Sequence, residues 1–207
     1  TTPVVSYAII GTCVAVWLAQ VFTPSHLVEY AFRPGLLISP AAWEEHGLPH
    51  LLATLFTSMF MHDPRNPLHL GFNMLFLWVF GDNVEDRMGH GRFAVFYLLC
   101  GLAAALAQAL LSFFSAVPMV GASGAIAGVL GAYFVLFKGA SVRALVPLFF
   151  FLTVVDLPAV LFLGMWFIFQ LFSGFGTIGG AGGGVAFWAH IGGFLAGMAD
   201  RKSTRLN

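Results

Sequence analysis

Four side chains in this sequence can do proton-transfer or acyl-transfer chemistry in otherwise apolar surroundings. Ser123 lies in V120-G-A-S-G-A-I-A-G128 and His190 in F187-W-A-H-I-G-G-F-L-A-G197. A serine hydroxyl is a weak nucleophile until a base takes its proton, and an imidazole is a suited base near neutral pH. His69 and Asn73 stand four residues apart, so on a helix they share one face and can aim donors at one volume. The set contains the parts of peptide hydrolysis through an acyl-enzyme. Ser123 is the nucleophile, and His190 is the general base that later protonates the leaving amine. His69, Asn73 and the Ser123 amide are donors to the tetrahedral oxygen. The apolar segments around Ser123 and His190 contain no Asp or Glu. The expectation is therefore a Ser–His dyad rather than a triad, with His190 oriented by packing. Gly121 and Gly124 leave room for a substrate backbone.

Composition fixes where such chemistry would take place. The 207 residues are 59% hydrophobic and 9% charged, against about 25% charged in a soluble domain. This is an all-α polytopic membrane protein by composition. Six segments are apolar enough to propose as spans: 4–22, 68–84, 93–114, 121–137, 157–172 and 185–199. The first reads as a span rather than a signal peptide, because no basic segment or clear cleavage site accompanies it. A long outer loop occupies 23–67, in which Leu51 to Met61 is apolar but too short to cross. Ala144 to Val155 reads as a short apolar surface or linker segment, leaving Asp156 near the membrane boundary. The glycine-rich segment 174–184 reads as a mobile cover between the last two spans, and the run Asp82 to Arg92 as a helix end with a charge network.

Charge supports one orientation. With the N-terminus inside, the inner segments hold Arg87, Arg92, Lys138, Arg143, Arg201, Lys202 and Arg205, and the outer side holds Arg33 and Arg65. That bias follows the positive-inside rule and puts both termini in the cytoplasm. Three spans then begin on the outer side, and their outer ends carry His69, Ser123 and His190. Taken singly, each residue has a plainer explanation: a small packing serine, a satisfied core histidine, an interhelical asparagine. Their convergence at one depth favours the chemical one.

Other chemistries find little support. His62, Asp63 and His69 lack regular metal-ligand spacing, with Pro64 and Pro67 intervening. Cys13 and Cys100 form neither a metal motif nor a disulfide framework. The glycines at 174–184 lack the lysine of a nucleotide-binding loop. No metal or organic cofactor is expected, and the net charge of +0 predicts no nucleic-acid partner. A small transporter would need polar groups on both sides and usually an internal repeat, whereas this cluster is one-sided.

These motifs resemble those of the rhomboid family of intramembrane serine proteases. H69-L-G-F-N73 is similar to its H-x-x-x-N element, G121-A-S-G124 to its G-x-S-G nucleophile motif, and A189-H-I-G-G-F-L-A-G197 to its A-H-x-x-G-x-x-x-G pattern. The run L77-W-V-F-G-D-N-V-E-D-R87 is typical of bacterial members. The resemblance implies one rhomboid-like six-transmembrane helix bundle over 1–207. It implies a Ser123–His190 dyad with His69 and Asn73 lining the oxyanion site, and a lateral gate at the fifth span. It further implies transmembrane proteins as substrates, lipid as surroundings, no obligatory protein partner, and the bacterial inner membrane as location. A catalytically inactive relative that binds transmembrane helices is the alternative. Two departures stand out. Ala127 takes a place where some members carry a tyrosine stacked on the catalytic histidine, which leaves the group packing His190 unassigned. F32-R33 is only a loose counterpart of a tryptophan–arginine pair in the first loop.

Overall fold

A computed structural model describes residues 2–23, 28–148, 151–176 and 185–200. Most of the expected cover segment 174–184 and the basic residues Arg201, Lys202 and Arg205 lie outside the described residues. Helix α1 is Val4–Phe22. The long loop that follows holds three short helices, α2 (Pro34–Leu37), α3 (Pro40–His46) and α4 (Leu48–Thr57), each with proline in its first turn. Proline fits there because the first turn has no use for its missing N–H. Helix α5 (Pro67–Phe76) is capped by Asn66, whose Oδ1 accepts from the His69 N–H at 3.2 Å. It runs through a π turn at Leu77–Gly81 into α6 (Asp82–Met88). Helices α7 (His90–Leu111), α8 (Ser123–Leu136), α9 (Ala159–Gly176) and α10 (Phe187–Ala199) complete the bundle.

Three helices, α1, α7 and α9, are long and apolar enough to cross a membrane by length and composition; α8 and α10 are shorter apolar helices. Large side chains such as Leu110, Phe114 and Phe172 are exposed on the bundle surface, as expected of a face turned to lipid rather than water. The interior helix is α8. Every residue from Gly124 to Tyr133 is buried, the pattern of a helix enclosed on all sides.

Small residues bring the helices around α8 close. A Cβ on Gly193 of α10 would collide with the carbonyl of Gly124, one on Gly197 with that of Gly128, and one on Gly131 with that of Phe194. Ala104 and Cys100 of α7 likewise occupy the space a Cβ would need at Gly124 and Gly128. Interfaces of this kind hold by backbone-to-backbone packing, since the lipid removes most hydrophobic drive between helices.

The segment expected to be an apolar linker is a two-stranded antiparallel hairpin, β1 (Ser141–Leu148) with β2 (Phe151–Pro158). Its composition explains the difference. Val142, Val146, Thr153, Val154 and Val155 are β-branched, and they favour a pleated backbone over a helix. Asp156 pairs across the strands with Arg143, Nε to Oδ1 3.1 Å. Both are exposed, so the pair contributes little energy. The hairpin also delays the next helix, which starts at Ala159 rather than at 157 and continues past 172 to Gly176.

The N-terminal end of α1 is fastened by a buried carboxylate. Glu85 accepts from the Val5 N–H (2.8 Å), the Ser6 N–H (2.8 Å) and the Ser6 hydroxyl (2.7 Å), and lies 2.6 Å from His90 Nδ1. It thereby satisfies amides that the first turn of a helix leaves open.

The glycine interface gives a direct test. Gly197→Ala forces a methyl against a backbone carbonyl that no rotamer change can move, so it should destabilise by about 3 kcal/mol, the upper end for overpacking. Gly11→Ala, on α1 with open space around it, should be neutral or slightly stabilising. Thermal unfolding of the two variants in detergent, followed by circular dichroism, separates them.

Candidate active site

Ser123 is the first residue of α8, and His190 lies in the first turn of α10. The Gly124–Gly193 approach brings these two helix starts together. Ser123 Oγ and His190 Nε2 are 2.8 Å apart, and both residues are half-buried. That is hydrogen-bond distance between a hydroxyl and a ring nitrogen able to take its proton. The first helical bond of α8 runs from the Ile126 N–H to the Ala122 carbonyl at 2.9 Å. The amides of residues 123–125 therefore precede the helical ladder and face the site end of the helix.

The loop before Ser123 is held from the long segment between α1 and α5. Phe32 and Met119 exchange backbone hydrogen bonds of 3.2 and 2.7 Å, and the Gly121 N–H donates to the Ser58 carbonyl at 2.9 Å. Gly121 has φ +133°, and a Cβ there would lie 3.0 Å from His69 Nε2 and 3.6 Å from Ser123 Oγ. Both the backbone angle and the space require glycine. His69 thus borders the serine loop. Asn73 is buried one turn on, and its Nδ2 donates to the His69 carbonyl at 2.7 Å. Its amide group has a second N–H beyond that bond.

Three residues outside the expected set complete the surroundings. Trp166 of α9 lies against His190, ring centroids 5.9 Å apart and tilted by 34°; it is the packing group that Ala127 cannot supply. Gln170, one turn further along α9, places Oε1 2.8 Å from His190 Nδ1. His190 therefore has a hydrogen-bonding partner on each nitrogen, where the sequence predicts orientation by packing. The third is His62, whose fully buried Nε2 lies 3.5 Å from the Ala122 amide and whose ring centroid is 5.2 Å from that of His69. Gln20 of α1 accepts from the His62 N–H at 3.0 Å and fixes this turn to the bundle. The signal for Gln170 was present as a lone amide in an apolar run, four residues after a tryptophan. His62 stood out only in a metal set, and among the described residues no group of three or more His, Cys, Asp or Glu is placed to hold a metal.

His62 lies outside the spanning helices, and its surroundings keep it neutral. Burial, reinforced by neighbouring His69, pushes its pKa down from 6.5 to about 4. Its Nδ1 has no hydrogen-bonding partner. In the unfolded chain the ring takes up a proton below about pH 6.5, and the folded protein resists this until about pH 4. Stability should therefore decline as pH falls across that window and level off below it, by on the order of 3 kcal/mol in full. Unfolding midpoints measured at stepwise pH should show the decline, and His62→Gln should remove this part of the slope.

The model of the rhomboid domain matches residues 49–200. Rhomboid protease GluP of Bacillus subtilis is 38% identical over 106 residues, which cover 51% of this chain and 18% of that protein. Rhomboid protein 1, mitochondrial, of Saccharomyces cerevisiae is 32% identical over 136 residues, 63% of this chain and 36% of that protein. The chain thus aligns with well under half the length of either relative. Apolar helices, a lipid-type exterior and a matched domain covering most of the sequence lead to one assignment: the chain belongs to the rhomboid family.

Proposed function

We propose that this protein is an intramembrane serine endopeptidase that hydrolyses peptide bonds in or near transmembrane helices. The observation that carries the proposal is the 2.8 Å contact between Ser123 Oγ and His190 Nε2 at the starts of two adjoining apolar helices. In this reading residues 1–207 form one membrane domain of six spans with both termini in the cytoplasm, in the inner membrane of a bacterium. Its substrates are single-span or other transmembrane proteins.

Depth follows from helix length. Helices α8 and α10 have 14 and 13 residues, or about 20 Å at 1.5 Å per residue. The hydrocarbon core is about 30 Å thick. With their inner ends at the inner boundary, their site ends lie roughly 10 Å below the outer one. Water must therefore reach Ser123 through a cavity open to the outer side, while substrate arrives laterally from lipid.

The chemistry proceeds in two displacements. His190 Nε2 takes the Ser123 hydroxyl proton as Oγ attacks the scissile carbonyl carbon. The oxygen of the tetrahedral intermediate is met by the Ser123 amide, Asn73 and His69. His190 returns its proton to the leaving amine, and the carbon–nitrogen bond breaks. Water deprotonated by His190 then attacks the acyl-enzyme and releases the new carboxyl terminus with Ser123 restored. The substrate helix must unwind locally to present its carbonyl, and unpaired backbone is costly in lipid. Helix-weakening residues near the cut and small side chains beside the glycine-lined site should therefore be favoured.

Purified protein should cleave a labelled single-span substrate in detergent and in liposomes. Ser123→Ala and His190→Ala proteins of verified fold should be silent, and Asn73→Ala should lose roughly 100-fold in kcat, the scale of one oxyanion donor. Cleavage unchanged by Ser123→Ala would sink the proposal. Retained helix binding without parental cleavage would favour a non-catalytic helix-binding protein.

A further inference from the structure

The Nδ1 side of His190 carries information that the dyad alone does not use. An imidazole is a base at Nε2 only while its proton sits on Nδ1, so something must select that tautomer. Gln170 Oε1 lies 2.8 Å from Nδ1. An amide can be placed in either of two orientations, but here the second contact decides. Gln170 Nε2 faces the Trp166 carbonyl at 3.4 Å, and a carbonyl can only accept. The NH2 group belongs on that side, the amide oxygen belongs on the imidazole side, and an oxygen there requires N–H at Nδ1. The chain of roles is closed: the Trp166 carbonyl orients Gln170, Gln170 fixes the His190 tautomer, and Nε2 is left free to accept from Ser123. Gln170 itself is buried, 4% exposed, so water does not compete strongly for its oxygen.

Resting on the serine-protease reading above, we propose that Gln170 is a positioning residue for catalysis, filling the place that a carboxylate occupies in a Ser–His–Asp triad. A neutral amide suits a site at membrane depth, where an ionised carboxylate is costly to bury. It holds the tautomer and ring angle but offers only a dipole to the imidazolium that forms during attack. Trp166 covers the same ring from one turn earlier on the same helix. The partner at Nδ1 and the ring that covers the imidazole thus both come from α9, and a displacement of α9 withdraws both contacts together.

The test uses the full chain in detergent, first with the parent and Ser123→Ala. Gln170→Leu should lower kcat about tenfold to a hundredfold with KM unchanged, short of the roughly 10⁴-fold loss when a charged triad loses its tautomer. Its unfolding midpoint should stay near that of the parent. Gln170→Glu keeps an acceptor oxygen; it should restore most of kcat and move the acid limb of the pH–rate profile. Histidine-selective 15N spectra, with the His190 signal identified by its absence in His190→Ala, should show the Nδ1–H tautomer in the parent and a mixture in Gln170→Leu. Parental kcat, pH profile and tautomer in Gln170→Leu would overturn the proposal. So would a loss of kcat that tracks a fall in unfolding midpoint and is not restored by Gln170→Glu. If Ser123→Ala cleaves normally, the serine reading fails on its own, and the 15N spectra still decide whether Gln170 sets the tautomer.

Discussion

The close passage of α10 across α8 is the contact on which the rest of the molecule depends. Gly193 rests on the Gly124 carbonyl and Gly197 on that of Gly128, while Gly131 receives the Phe194 carbonyl. Each contact excludes a single methyl group. Ser123 sits one residue before Gly124, and His190 one turn before Gly193–Phe194. The separation of Ser123 and His190 is therefore set by backbone packing rather than by long side chains. That gives the pair its precision at low entropic cost, because few rotamers need freezing to hold it.

Around this axis the polar connections are sparse, and each has a position to defend. The serine loop is tied to the long segment between α1 and α5 through Phe32–Met119 and Gly121–Ser58. That segment is in turn tied to α1 through Gln20 and through the indole of Trp17, which donates to the Asp63 carbonyl at 3.1 Å. On the other flank, Gln108 of α7 accepts from the Ala189 N–H at 3.1 Å, next to His190. All three glutamines of the chain, Gln20, Gln108 and Gln170, thus make a hydrogen bond to a backbone N–H or ring nitrogen of a residue that borders the site. In a lipid-facing bundle an amide side chain has no water to fall back on, so it stays only where it replaces water for another group.

Much of this was legible in the sequence, for reasons that differ by element. The apolar segments announced a helical membrane protein because the bilayer imposes length and composition directly. The glycine-flanked Ser123 and the His190 stretch stood out because polar groups are rare at such positions. The hairpin at 141–158 was hidden, since uniform apolarity masks the period that separates strand from helix. What Gln170 and Trp166 touch was hidden for another reason. Their partner lies on a different helix, and no spacing along the chain encodes which face of α9 meets α10. His62 was visible only as one more histidine near two prolines, and its contact with the Ala122 amide depends on how the long loop folds back.

The carboxylate of Glu85 has a temporal side. The amides it accepts from belong to Val5 and Ser6, about 80 residues earlier in the chain. A ribosome therefore delivers the first helix long before its cap exists. Until α6 emerges, the start of α1 must keep its open N–H groups in water or among headgroups. Its final seat in the bundle is settled only after α5 and α6 have joined it. A helix synthesised earlier is, in this sense, locked later than the segments that follow it.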